Sequence, residues 1–144
     1  MKIIIENIAP DEEETCILRV RSLTDNTVKA VNLLKCPDSL TVFSDGESFI
    51  LDTKEVYYAE SVDLKTFIYT KEKVYQSRLK LYEAEEILSS GDFLRISKQT
   101  LVNVSKIKSV SPAGGGRFIA ELDNKEKVII SRSYVSSLKR RFGI

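Results

Sequence analysis

The side chain that most often does acid–base or metal chemistry near neutral pH is missing, because the chain has no histidine. Its two cysteines, Cys16 and Cys36, stand far apart with no Cys-x-x-Cys spacing. Ser136-x-x-Lys139 matches the first element of a serine β-lactamase signature, but the companion Ser-Asp-Asn and Lys-Thr-Gly elements are absent. Gly114-Gly115-Gly116 lacks the Lys-Ser or Lys-Thr that closes a phosphate loop and reads as a hairpin turn between two strands. The carboxylates Glu60 and Asp63, and Asp123 and Glu126, fall in turn-like segments where such residues ordinarily serve the turn. The expectation is a protein that is not an enzyme and uses no metal, cofactor or small-molecule substrate.

Cations placed at the ends of apolar strands are a different kind of chemistry. The stretch Phe93-Leu94-Arg95-Ile96-Ser97-Lys98-Gln99-Thr100-Leu101-Val102-Asn103-Val104-Ser105-Lys106-Ile107 runs from an apolar strand through a polar, basic junction to a second apolar patch. That pattern holds Ser97, Lys98 and Gln99 at a surface while Leu101, Val102 and Ile107 anchor the backbone. A second junction, Ser131-Arg132-Ser133, follows the apolar run Val128-Ile129-Ile130. Lys98 and Arg132 can each donate to the O6 and N7 edge of guanine, whereas Gln99 and Asn103 can pair with adenine or bond the backbone. Inside Leu101-Val102-Asn103-Val104 the amide of Asn103 suits a structural role. Lys106, Lys108, Arg117, Lys127 and the run Lys139-Arg140-Arg141, with Ser97, Gln99, Ser131 and Ser133, are candidates for phosphate contacts, which set register but carry no sequence information.

Charge supports a polyanionic partner. The net charge of +1 divides unevenly: residues 1–60 carry six Lys and Arg against twelve Asp and Glu, and residues 61–144 carry sixteen against nine. A basic half focuses positive potential, and an acidic half keeps the molecule soluble or receives another partner. With 42% hydrophobic residues in 144, the chain can bury a real core. No apolar run approaches the roughly 20 residues of a membrane span, and residues 2–6 lack the apolar region of an export signal. A cytoplasmic location with reduced, mostly buried thiols is expected.

The elements that must position these cations follow from periodicity. Residues 2–6 and 15–21 read as strands, and Thr24 or Asp25 caps a helix with Val28, Val31 and Leu34 on one face, ending at Cys36-Pro37. Residues 40–43 and 48–51 flank Ser44-Asp45-Gly46-Glu47 as a hairpin. Short strands follow at 56–59, 65–70 and 74–76, then a helix capped by Ser77 with Leu81, Ala84 and Leu88 inward, ending at Ser89-Ser90-Gly91. Strands at 93–96, 106–111, 117–122 and 127–131 lead to a last helix capped by Ser133, carrying Val135, Leu138 and Phe142, with Gly143 beyond it. The fold class is therefore mainly β with short helices. It divides into a small β-α-β-β unit at 1–51 and a β-rich domain at 52–144.

Three motifs in order, Glu55-Val56-Tyr57-Tyr58-Ala59-Glu60-Ser61, the 93–107 stretch, and Val128-Ile129-Ile130-Ser131-Arg132-Ser133-Tyr134, together with Leu138-Lys139-Arg140-Arg141-Phe142, closely resemble the LytTR family of DNA-binding domains. The resemblance covers roughly residues 52–144. It implies small antiparallel sheets rather than a helix-turn-helix, with loops that read double-stranded DNA in the major groove. Family members are bacterial transcription regulators, commonly joined to a receiver domain. Residues 1–51 lack the length and acidic pocket of a receiver, so the chain looks like a free-standing member. Such relatives are often encoded beside a small membrane protein that restrains them, and that analogy alone implies an antagonist here.

Carried onto this sequence, the family's base contacts fall on Lys98, with Ser97 beside it, on Arg132, and in the loop from Ser61 to Lys65, where Lys65 is the candidate. Many relatives have His-Arg where this chain has Ser97-Lys98, and Lys presents a different geometry to guanine than Arg does. The 1–51 unit would serve homodimerisation or partner binding. The competing function is an adaptor or inhibitor acting through that acidic unit. RNA recognition is disfavoured, since no aromatic pair lies exposed on an expected sheet.

Overall fold

The computed structural model describes residues 2–22, 24–27, 30–31, 39–88 and 92–144. Among the described residues ten strands form two antiparallel sheets. β1 (Ser39–Ser44) and β2 (Glu47–Asp52) make a hairpin whose turn residues Asp45 and Gly46 both take positive φ, 51° and 79°, as the two-residue connection between right-twisted strands demands. β3 (Tyr58–Val62), β4 (Lys65–Tyr69) and β5 (Val74–Ser77) meander beside it. Helix α1 (Leu81–Leu88) then leads to β6 (Phe93–Arg95) and β7 (Thr100–Asn103). The seven strands lie in the order β2-β1-β5-β4-β3-β7-β6. β8 (Ile107–Gly114), β9 (Arg117–Leu122) and β10 (Lys127–Ile130) make the second sheet in the order β10-β9-β8, and α2 (Val135–Phe142) closes the chain.

Two cores sit on opposite faces of the large sheet. α1 buries Leu81 and Leu88 against Val42, Val56, Ala59, Ile68 and Leu101. The second core packs Tyr57, Ile96 and Val102 against Ala120, Leu122, Val128 and Ile130 of the small sheet and Val135 and Leu138 of α2. Adjacent residues Leu101 and Val102 thus face different cores. β7 is covered on both sides, and its run of apolar residues lacks the alternation that marks a half-buried strand. Sequence periodicity misses β7 for that reason.

The mainly β class, the 44–47 turn and the apolar face of α1 hold as expected, and α2 buries Val135 and Leu138 but leaves Phe142 exposed in its last turn. Three features differ. Residues 2–6 and 15–21 are exposed and form no strand, so the expected β-α-β-β unit lacks its first two strands among the described residues; a strand pattern without a neighbour has nothing to pair its backbone. The hairpin at 39–52 belongs instead to the large sheet, through pairing of Phe43 with Gln76. Asp25 to Thr27, Ala30 and Val31 are helical as expected, while Val28, Leu34 and Cys36-Pro37 lie outside the described residues. Cys16 is exposed rather than buried.

The expected caps also change. Ser77 ends β5 and accepts from the Leu79 N–H, while the Lys80 N–H at the start of α1 is satisfied by Glu83. Ser133 lies inside a 3-10 turn, Arg132–Tyr134, and α2 starts after Tyr134 without a side-chain cap. Ser89-Ser90-Gly91 lies outside the described residues. Gly143 closes α2 in the left-handed conformation, φ 69°, its N–H on the Lys139 carbonyl.

Candidate nucleic-acid interface

Strand direction brings three loops to one end of the molecule. β3 and β7 run antiparallel with Tyr58 opposite Val102 and Glu60 opposite Thr100, so the 97–99 loop stands beside the turn after Val62. The Ser61 N–H donates to the Gln99 carbonyl at 2.8 Å. The Ser131 N–H donates to the Ile96 carbonyl at 2.8 Å, tying the segment after β10 to the same loop. Two backbone bonds therefore join the 61–65, 96–99 and 131–133 segments.

From this joined backbone Lys65, Lys98, Gln99, Arg132 and Ser133 project into solvent, with Ser97 and Ser131 half-buried between them. Among the described residues no ion pair holds Lys65, Lys98 or Arg132. The Gly114–Gly116 turn adjoins the cluster. An added Cβ on Gly116, φ 76°, would lie 2.7 Å from Cδ and 2.9 Å from Cγ of Arg132, so the arginine stem crosses directly over the glycine backbone. Arg117 starts β9 at this end, exposed, with its Nε–H on the Gly114 carbonyl at 3.5 Å.

Other predicted phosphate contacts lie elsewhere. Ile107 pairs with Leu122 and Lys127 with Glu121, whereas Gly114 pairs with Arg117 and Ile130 with Phe118. Lys106, Lys108 and Lys127 thus stand at the opposite end of the sheets, about 14–17 Å from Arg117 at ordinary strand rise. There Lys106 holds its Nζ 5.1 Å above the Tyr57 ring, and the Asp123 N–H donates to the Lys106 carbonyl. Tyr57 donates its hydroxyl to the Asp123 carboxylate; that bond, with burial and the carboxylate charge, pushes the phenol up to about 12. Asn103, 3% exposed, donates to the Val56 carbonyl at 2.8 Å and accepts from Ser105 N–H and Oγ, the structural role its apolar surroundings imply. On α2, Lys139 lies 5.5 Å from the Phe118 ring centroid, Arg141 pairs with Asp92 at 2.8 Å, and Arg140 is exposed.

Two features of this end escape sequence reasoning. Leu64 takes φ 64° in the two-residue turn between β3 and β4 and is 101% exposed. Asp63, φ 50°, and Leu64 both take the positive φ that a two-residue hairpin requires, and nothing in the sequence announces a bulky apolar residue there. Arg95 looks like one more surface cation, yet its guanidinium turns inward to the carbonyls of Ser97 and Lys98 and to Glu85.

Comparison with known proteins follows the same outline. The description "LytTr DNA-binding domain" matches residues 46–143. A solved LytTr DNA-binding domain from Bacillus cereus superposes with a TM-score of 0.70 at 28% identity, covering 74% of this chain and 98% of that one. Transcriptional regulatory protein YpdB of Escherichia coli is 25% identical over 118 residues, 81% of this chain and 48% of its own length. Sensory transduction protein LytT of Bacillus subtilis is 30% identical over 102 residues, 70% of this chain and 42% of its own. The chain thus spans about half the length of these two relatives. An uncharacterised HTH-type transcriptional regulator of Staphylococcus aureus aligns at 26% identity over 100% of this chain and 99% of its own. In the present chain α1 and α2 are separated by five strands, so they form no helix-turn-helix. The match begins inside the β1–β2 hairpin and runs to Gly143, taking in the three joined segments: the chain belongs to the LytTr DNA-binding domain family.

Proposed function

We propose that this protein is a transcription regulator that binds double-stranded DNA by presenting the joined 61–65, 96–99 and 131–133 segments to the major groove. The observation that carries the reading is the pair of backbone bonds, Ser61 to Gln99 and Ile96 to Ser131, because they place three exposed cations on one rigid edge. Family membership and the names of the relatives support it. The major groove is about 12 Å wide and offers donors and acceptors that distinguish all four base pairs. Lys98 and Arg132 are assigned to base edges, and Lys65 to the flank of the same groove. Arg117, Ser97, Gln99, Ser131 and Ser133 stand where phosphates would pass. Selection of bound duplexes from a random pool, followed by titration of a selected and a scrambled duplex, tests this. The expected result is selective binding at physiological salt, and equal affinity for both duplexes overturns it.

A second role is favoured by the N-terminal segment. Ile3, Ile4, Ile5 and Ile17 are each at least 68% exposed, in two stretches expected as strands and with no partner strand among the described residues. Two strands are too few for a stable sheet, and a second copy would supply four. Self-association through residues 2–21 is the proposed consequence. Analytical ultracentrifugation of the whole chain and an Ile4→Asp, Ile17→Asp variant checks it. A monomer at micromolar concentration in both counts against it.

A further inference from the structure

Arg95 sits among the cations of the reading end, and its surroundings are those of a structural clasp. It is the last residue of β6, immediately before the Lys98 loop. Its Nε–H donates to the Ser97 carbonyl at 2.8 Å, one terminal nitrogen to the Lys98 carbonyl at 2.5 Å, and the other to Glu85 of α1 at 2.6 Å. The side chain is 23% exposed, and that of Glu85 is 43% exposed. The planar guanidinium fork makes three directed bonds at once, which a lysine ammonium on its flexible stem cannot reproduce.

The loop's other acceptors complete the pattern. The Ile96 carbonyl takes the Ser131 N–H and the Gln99 carbonyl takes the Ser61 N–H. Four successive carbonyls, from Ile96 to Gln99, are therefore each engaged by protein donors, two of them by Arg95. Turned toward those donors, they present little negative potential to an approaching polyanion. With two neighbouring carbonyls fixed, the direction in which Lys98 leaves the backbone is fixed as well. An arginine kept for phosphate would not already be neutralised by a carboxylate at 2.6 Å.

We propose that Arg95 is a positioning residue for sequence recognition, clasping the Lys98 loop to Glu85 of helix α1 and not itself contacting DNA. The proposal rests on the assignment of Lys98 to base reading. It predicts opposite signs from those of a phosphate contact. Removing the carboxylate of Glu85 would tighten binding if Arg95 were a phosphate ligand, because a negative charge is lost and the cation is freed. If Arg95 is a clasp, the same change loosens the loop and costs selectivity.

The experiment is fluorescence anisotropy with the whole chain on selected and scrambled duplexes between 50 and 200 mM salt, for Arg95→Lys, Arg95→Ala, Glu85→Gln and Lys98→Ala. Arg95→Lys is expected to lose selectivity on the order of tenfold, within the range that one base contact supplies. The log–log salt slope of Arg95→Ala should stay unchanged, whereas loss of one phosphate contact lowers that slope by about 0.9. Glu85→Gln should lose selectivity in the same direction. Wild-type selectivity in Arg95→Lys, or tighter binding of both duplexes by Glu85→Gln, overturns the proposal. Should Arg95→Ala fail to fold, as thermal unfolding would show, Glu85→Gln decides, since it changes only a half-exposed carboxylate. Lys98→Ala separates the two levels. If it keeps full selectivity, the assignment of base reading fails and the clasp with it; if it loses selectivity while Arg95→Lys does not, the clasp alone fails.

Discussion

At the Val62 end of the sheets the backbone is tied down and the side chains are loose, whereas at the Tyr57 end the side chains are themselves the ties. The first end joins its loops by bonds between peptide groups, with Arg95 as the one side-chain clasp described above, and leaves Lys65, Lys98 and Arg132 in solvent. The second spends Asn103, Tyr57, Asp123 and Lys106 on one another and on nearby backbone. Both ends carry lysines and hydroxyl groups, so composition does not tell them apart. A surface that recognises a partner needs donors held in place yet unspent, and a surface that closes a fold needs them satisfied.

The largest expected effect tests the closed end. Asn103→Ala leaves the buried Val56 carbonyl without its donor and strips two acceptor contacts from Ser105, so stability should fall by about 3 kcal/mol. Urea unfolding measures this, and the folded fraction should keep its preference for the selected duplex. At the open end the pattern reverses. Arg132→Ala and Lys98→Ala should each cost about 1–3 kcal/mol of discrimination between selected and scrambled duplexes. Stability should change by no more than about 0.5 kcal/mol, as for exposed side chains generally. A stability loss from Arg132→Ala matching that of Asn103→Ala would erase the distinction between the ends.

How far this contrast can be read in the sequence depends on the kind of residue. The hairpin at Asp45-Gly46, the inward faces of α1 and α2 and the Gly143 stop are local patterns, and each appears where periodicity and turn chemistry put it. Lys98 and Arg132 are legible as strand-end cations, and the structure brings them to the same edge. Lys106, Lys108 and Lys127 look equivalent in sequence, but which end of an antiparallel ladder they occupy is set by register, a long-range property. Residues 2–6 and 15–21 have strand periodicity, which states what a segment can pair as and not whether a partner is present.

Gly116→Ala probes the boundary between the two kinds of surface, because the glycine is backbone scaffold that lies against Arg132, the side chain proposed to read bases. A methyl group there meets the Arg132 stem and also strains a backbone at φ 76°. Stability should fall by about 1–2 kcal/mol from the conformation alone, and selectivity should fall with it as Arg132 is displaced. Selectivity unchanged in the folded variant would mean that the aim of Arg132 does not depend on the turn. The closed end should also respond to alkali in a way the open end does not. The Tyr57 phenol is raised from 10.0 to about 12, chiefly by its bond to Asp123. A folded value above the unfolded one contributes stability that is complete below pH 10 and is lost as pH rises through about 12. Tyr57→Phe should flatten that alkaline fall in chemical-denaturation profiles, and an identical fall in the variant would assign it to another group.

The smallest effect is the sharpest test of the comparison. Lys108 and Lys127 are exposed cations in the basic half of the chain, and a picture based on net charge alone would count both as phosphate ligands. Each neutralised phosphate contributes about 0.9 to the salt slope of binding to duplex DNA. If recognition is confined to the open end, Lys108→Ala and Lys127→Ala should leave the slope and the affinity for both duplexes unchanged. Arg117→Ala, by contrast, should lower the slope by about 0.9 if Arg117 neutralises one phosphate. The roughly 14–17 Å between the ends exceeds the Debye length of about 8 Å at physiological ionic strength, so the remote lysines cannot act through the field at that salt. Below about 0.01 M salt the screening length grows to about 30 Å, and a weak influence of Lys127 should emerge. A full loss of 0.9 for Lys127→Ala at 0.15 M salt would instead show that the duplex wraps past the edge of the small sheet. The contrast between the ends would then describe the fold and not the binding surface.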